Sequence, residues 1–226
     1  MASDKDNCSG NPLVVIGAGG FVKEVLAAYM DHARTTASGP VLGLVDDDLS
    51  LRGTTIYGQR VLGDVRWLLD YGLHRVRCVV SVGNPRDRAR IVDILDKAGA
   101  EYANVVHPTA ILWGSLQACA GIVVQPRVLV SADTVIGRHV HLGGSTIVAH
   151  ESQIREFATV GPLADINGRC VVEEGAYIGA QATLRQGVTV GSWATVGMCA
   201  CVLEDVPPGA TVVGVPAKII RRSYDA

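Results

Sequence analysis

Every sixth residue from Leu112 is aliphatic: Leu112, Ala118, Val124, Val130, Ile136, Leu142, Val148, Ile154, Val160, Ile166, Val172, Ile178, Leu184, Val190, Val196 and Val202. Four residues after most of these stands a second series that is small or β-branched: Thr134, Val140, Thr146, Ser152, Ala158, Ala164, Cys170, Ala176, Ala182, Val188, Ala194, Ala200 and Val206. Glycine, asparagine or a charged residue usually separates the two. Neither the 3.6-residue period of a helix nor the period of two of a long strand generates this register. A six-residue repeat is the signature of a parallel β-helix. Three flats and three corners make a triangular coil of about eighteen residues, and successive coils stack at about 4.8 Å. The large aliphatic points into the prism, and the small residue is expected at the tight corner. Sixteen positions make five coils and one further flat. A single coil cannot bury its own apolar face, so stacking must supply the stability.

The pattern ahead of the repeats is of another kind. Pro12-Leu13-Val14-Val15-Ile16 predicts a buried strand, followed by the turn Gly17-Ala18-Gly19-Gly20 and a helix over residues 21–33. A strand, a glycine turn and a helix can gather backbone N–H groups around a phosphate. Val22 stands where the third glycine of G-x-G-x-x-G belongs, so the standard dinucleotide fingerprint is incomplete. A second strand, residues 41–45, ends in Asp46-Asp47-Asp48, acids placed to accept hydrogen bonds from a ribose or a base edge. A solvated turn is the plain alternative. A polar connection, a short helix over 65–71, a strand over 76–82 leading to Gly83-Asn84-Pro85, and a helix over 86–98 with Arg86, Arg88 and Arg90 in its basic first half complete this part. The expected division is a disordered lead-in over 1–11, a small α/β domain over 12–106 and a β-helix with a cationic tail (Lys218, Arg221, Arg222) over 107–226. His107-Pro108 marks the join, because a residue before proline is extended.

Composition narrows the functional classes. With two Phe and three Trp among 48% hydrophobic residues, the core must be built from Val, Ile, Leu and Ala, which suits a narrow prism. A formal net charge of −2 argues against nucleic acid or an anionic membrane as partner. The polar start MASDKDNCSG lacks an apolar signal region, and no apolar run reaches membrane-spanning length, so a cytoplasmic protein is expected. Cys8, Cys78, Cys119, Cys170, Cys199 and Cys201 contain no C-x-x-C pair, and neither a disulfide framework nor a cysteine zinc site follows.

Among six histidines, His150 draws attention. It lies two places after the inward Val148, beside Glu151, and Gly168 stands eighteen residues on, in the same column of the next coil. A histidine on a rigid wall, a carboxylate to hold its tautomer and a backbone N–H close by form an acyl-transfer set. A solvated surface histidine is the bland reading. His139 and His141 are read as ordinary, His141 lining an interface. The three histidines raise a zinc centre between copies, but no fixed ligand spacing supports one, and no metal is expected.

The repeat block, Ile147-Val148-Ala149-His150-Glu151 followed by Gly161 and Asn167-Gly168, and the closing Val215-Pro216-Ala217-Lys218 resemble the left-handed β-helix (hexapeptide-repeat) sugar acyltransferases. The resemblance is strongest to the bacillosamine-type UDP-4-amino-sugar N-acetyltransferases, with the sialic acid O-acetyltransferases nearby. Gly17 to Gly20, Leu44 to Asp47, Val82-Gly83-Asn84 and His107-Pro108 extend it over residues 13–219. It implies a Rossmann-like α/β domain followed by a left-handed β-helix, and a homotrimer with active sites between subunits. Acetyl-CoA would be the co-substrate and a nucleotide sugar the acceptor. It assigns His150 as base, Glu151 as its orienting acid and Gly168 as oxyanion donor. Gly168, Gly179, Ala180, Gly197 and Met198 match coenzyme contacts, and Gly17, Ala18, Gly19, Gly20, Asp46, Asp47 and Gly83 match nucleotide contacts. Phe21 and Val22 stand where the family's glycine turn often has Gly-His-Gly, and Thr159 replaces a second histidine. The implied reaction is N-acetylation of a 4-amino sugar. Transfer to a sugar hydroxyl or of another acyl group, and a non-catalytic nucleotide-sugar sensor, are the alternatives; a nicotinamide oxidoreductase lacks its third glycine and a substrate domain.

Overall fold

In the computed structural model, residues 10–36, 38–116 and 120–221 are described. Most of the expected lead-in lies outside them, as do Cys8, Ala118, Cys119 and Arg222. The described residues form two compact units divided after Pro108, with 120–122 returning to the first.

The first unit is built on a five-stranded sheet. Its elements are β1 (Leu13–Ile16), α1 (Val22–Thr35), β2 (Val41–Val45), β3 (Thr55–Ile56), β4 (Gln59–Gly63), α2 (Val65–Tyr71), β5 (Arg77–Val80), α3 (Pro85–Lys97) and β6 (Val105–Val106). The sheet order is β3-β4-β2-β1-β5. Pairing is parallel except for the β3–β4 hairpin. β1 and β5 are buried along their whole length, as parallel strands covered on both faces are. Helix α1 buries Val22, Val25, Leu26, Ala28 and Tyr29, the one-sided spacing of an amphipathic helix. Helix α3 starts where the Asn84 side chain accepts from the N–H groups of Arg86 and Asp87, with Pro85 in the first turn. The polar connection read before α2 contains the β3–β4 hairpin, which the sequence pattern did not separate from a loop.

The second unit is a parallel β-helix of two-residue strands. Each strand pairs with the one eighteen residues on: Leu129 with Ile147, Ile147 with Asp165, Asp165 with Thr183 and Thr183 with Cys201 on one wall. The other two walls repeat this through Val135, Gln153, Val171 and Thr189, and through Val123, His141, Thr159, Tyr177 and Thr195. Every inward aliphatic from Val124 to Val202 is buried, and so are the residues four places on, from Thr134 to Ala200. The regular register ends at its first coil. Ile136 pairs with Leu116 rather than with Ala118, so the uninterrupted series of sixteen is corrected there by a two-residue slip.

The corners also differ from expectation. The tight backbone falls one place earlier than the small series, at Arg127, Asp133, His139, Ser145, Glu151, Phe157, Leu163, Arg169, Gln181, Trp193 and Cys199, all at positive φ. Residues with a Cβ are uncommon in that region, and the stacked coils hold them there. The small residues that follow pack inside. After Val206, the strand Thr211–Val213 pairs parallel with Thr195–Val196, and Lys218–Arg221 returns antiparallel along it, closing the prism.

Candidate active site

Strand Ile147–Val148 buries Val148, and the backbone turns two residues further on, so the first side chain of the turn leaves the wall. That side chain is His150. Glu151 follows at φ 59°, and its Oε2 lies 2.9 Å from His150 Nδ1. Both side chains are about half exposed, at 53% and 52%. With Nδ1 engaged, Nε2 is the nitrogen left for chemistry, provided the tautomer carries its proton on Nδ1.

Gly168 lies directly against the imidazole. A Cβ built on it would meet His150 Nε2 at 2.6 Å and Cε1 at 2.7 Å. A side chain here would displace the ring, whereas Gly168's own backbone angles do not call for glycine. The Gly168 carbonyl accepts from Gly187 N at 3.0 Å, while among the described residues nothing accepts its N–H. The corner is stiffly held. Arg169 N donates to His150 O at 2.9 Å. Ser152 Oγ donates to Asn167 O at 3.1 Å and accepts from Cys170 N at 3.2 Å. Asn167 Nδ2 donates to Leu184 O at 2.8 Å. Burial raises the pKa of the inward Cys170 thiol, which acts as a small apolar residue.

Gly179, Ala180, Gly197 and Met198 lie on a different edge of the same prism. They follow the strands Tyr177–Ile178 and Thr195–Val196, whereas His150 follows a strand of the next wall. Coil-to-coil approach explains the two glycines: a Cβ on Gly179 would come to 2.5 Å of Met198 N, and one on Gly197 to 2.7 Å of Val213 Cγ1. Met198 is 76% exposed. One chain therefore does not bring these four residues onto the corner of His150.

In the first unit, Gly17 turns at φ 99° and donates its N–H to Val45 O at 2.8 Å. Its carbonyl accepts from Ser81 Oγ at 2.7 Å, and a Cβ there would reach Val82 Cγ2 at 2.9 Å. Asp46 braces the turn. Its Oδ2 accepts from Ala18 N at 2.7 Å and its Oδ1 from Asp48 N at 2.9 Å. Asp47 is exposed, with Oδ1 3.3 Å from Val65 N. Gly19, Gly20 and Gly83 stand open, with nothing within 4 Å of a built Cβ.

Sequence reasoning missed Arg88. It is fully buried, donates from Nη1 to Val82 O at 2.7 Å and to Gly83 O at 3.3 Å, and so holds the turn carrying Gly83. Burial pulls its pKa down to about 9. As one of three arginines in a basic helix face, it gave no sign of pointing inward. His139 and His141 are likewise buried and not on the surface, and the His139 ring stacks on Phe157 at 5.4 Å. Among the described residues no group of three or more His, Cys, Asp or Glu could hold a metal ion, and no helix is long and apolar enough to cross a membrane.

No family model matches the sequence. The chain is 32% identical over 215 residues to GDP-perosamine N-acetyltransferase of Escherichia coli O157:H7, covering 92% of this chain and 96% of that protein. Among solved structures it is similar to PerB of Caulobacter crescentus in complex with CoA and GDP-perosamine, with a TM-score of 0.85 and 27% identity over 94% of this chain and 99% of that one. It is also similar to the acetyltransferase domain of PglB from Neisseria gonorrhoeae in complex with acetyl coenzyme A, with a TM-score of 0.83 and 31% identity over 94% and 100% of the two chains.

Proposed function

Because this chain belongs to the hexapeptide-repeat family of sugar N-acetyltransferases and is an acyltransferase, we propose that it transfers the acetyl group of acetyl-CoA to the 4-amino group of a nucleotide-linked amino sugar. The observation that carries this reading is the His150–Glu151 pair at 2.9 Å with Gly168 beneath the ring. An amine attacking a thioester must shed a proton. His150 Nε2 takes it as the nitrogen–carbon bond forms, while Glu151 holds Nδ1–H and stabilises the imidazolium. Negative charge gathers on the thioester oxygen, and the Gly168 N–H, which no described residue engages, stabilises it. The carbon–sulfur bond then breaks, and the sulfur leaves as a thiol with the proton returned from His150.

The edge of close-stacked Gly179 and Gly197, with Ala180 and the exposed Met198, is read as the seat of the extended coenzyme, as the resemblance implies. Because that edge is not the edge of His150, the complete site joins two copies in a homotrimer, as the resemblance implies. The nucleotide is held by the first unit, read as Rossmann-like, at Gly17 to Gly20, Asp46, Asp47 and Gly83. The prism winds left-handed, and the reaction belongs to cytoplasmic glycan synthesis. The GDP-perosamine relatives favour a guanosine diphosphate sugar over the uridine sugars of the bacillosamine-type enzymes.

A coenzyme A release assay over a panel of nucleotide sugars tests this. Release with 4-amino sugars, GDP-perosamine foremost, is expected. Release only with sugars that carry hydroxyls and no amine makes the enzyme an O-acetyltransferase, and release with none makes it a sensor.

A further inference from the structure

Beside the glycine turn lies a cleft of about 380 Å³, lined by Ala18, Gly19, Gly20 and Lys23 on one side and by Thr55, Ile56 and Tyr57 on the other. Small-ligand pockets occupy roughly 300–1,000 Å³. The second side is the tip of the β3–β4 hairpin. Tyr57 sits there at φ 47° with half its surface exposed. Among the described residues, neither its hydroxyl nor the Lys23 ammonium makes a hydrogen bond or ion pair. The acids that follow β2 are engaged, Asp46 with Ala18 N and Asp48 N, Asp47 with Val65 N, and Asp48 with Ser50, and Glu24, next to Lys23 in the chain, forms no ion pair with it among the described residues. The cleft thus offers a flat aromatic face, a cation without an acidic partner, and a glycine backbone with no side chain in the way. A nucleoside diphosphate has a counterpart for each: a planar base, an anionic diphosphate, and oxygens that need close backbone approach.

We propose that Tyr57 and Lys23 select the nucleoside diphosphate end of the acceptor, the base lying on the Tyr57 ring and the diphosphate pairing with Lys23. This rests on the reading above that the acceptor is a nucleotide-linked sugar. The hairpin then sets affinity for the nucleotide and leaves the transfer chemistry to the prism.

Calorimetric titration of the full chain with GDP and UDP, beside steady-state kinetics, provides the test. Tyr57→Asn removes the ring while keeping a side chain that tolerates positive φ. It should weaken the tighter-binding nucleotide about tenfold at every salt concentration, within the range for losing a base–aromatic stack. Tyr57→Phe should stay within about twofold, because the stacking face is kept. Lys23→Ala should weaken binding about tenfold at low ionic strength and far less at high, because an exposed cation is screened. None of the three should move the Michaelis constant for acetyl-CoA. Wild-type nucleotide affinity in both Tyr57→Asn and Lys23→Ala overturns the inference and leaves the acetyltransferase reading standing. A wild-type protein that binds neither nucleotide and acetylates no nucleotide sugar overturns both. A Tyr57→Phe loss as large as that of Tyr57→Asn overturns the stacking role, because the ring face is kept and only the hydroxyl is gone.

Discussion

The two units build their sites in opposite ways. In the prism, each position has a counterpart eighteen residues away, and the candidate site is a local departure from that repeat. The column that carries His150 and Gly168 has Ala132 before them and Gln186 after them. In this column it is His150 that sets its ring against a glycine of the next coil. The first unit has no such internal reference. Its glycine turn is shaped by groups distant in sequence: Asp46, 28 residues from the Ala18 N–H it accepts, and Ser81, 64 residues from the Gly17 carbonyl. A repeat concentrates function in exceptions to its pattern, whereas a single-copy domain spreads it over contacts that no pattern displays.

If that contrast holds, damage in the prism should strike turnover and damage in the first unit should strike acceptor affinity. His150→Ala should lower kcat by about two to four orders of magnitude, the usual range for losing a general acid–base group. Its thermal stability should stay close to wild type, because the side chain is half exposed. Steady-state kinetics with a melting curve checks both.

Gly168→Val should cost roughly two to three orders of magnitude in kcat, as for the loss of an oxyanion donor. The structure adds a cause, since any Cβ at this position collides with the His150 ring. Gly168→Ala should therefore already lose most of the rate. Normal turnover in Gly168→Ala would contradict the close packing of ring and glycine.

A smaller effect is expected from Asp46→Ala. Two backbone N–H groups lose their carboxylate, each charge-assisted bond being worth about 1.5–3 kcal/mol. The Michaelis constant for the nucleotide sugar should rise roughly tenfold, equivalent to about 1.4 kcal/mol, while that for acetyl-CoA holds. Equal losses on both substrates would mean that the two units do not divide the labour as described.

At the bottom of the scale lies Lys97→Ala. The pair with Asp93 spans 2.6 Å, but both side chains are largely exposed, at 74% and 61%. Chemical denaturation should show a change below about 0.5 kcal/mol, with no effect on either Michaelis constant.

The difference between the units also explains what could be read from the sequence. The inward series from Val124 to Val202 was legible because each member meets the same apolar interior every six residues. Ala118 misled because an aliphatic residue at the right interval matches the pattern by composition, while register is fixed by pairing, here Leu116 with Ile136. The positive-φ corners were hidden because stacking overrides the local preferences of Arg127, Phe157 and Trp193. His150, Glu151 and Gly168 were legible because adjacency and one coil length place them together. The β3–β4 hairpin had a signal, β-branched residues on one side of Tyr57-Gly58, but its two-residue first strand is too short for alternation to show. Arg88 looked like its exposed neighbours because burial depends on which helix face meets the sheet, and an arginine does not disclose that.

The central claim is that the corner at His150 acetylates an amine on a nucleotide-linked sugar. The most direct measurement is nuclear magnetic resonance of the product formed from GDP-perosamine and acetyl-CoA by the wild-type protein and by His150→Ala. The account predicts an N-acetyl group on the 4-amino nitrogen, formed by the wild type and nearly absent with the variant. An acetyl ester on a hydroxyl, or an N-acetyl product formed equally fast without His150, would contradict it.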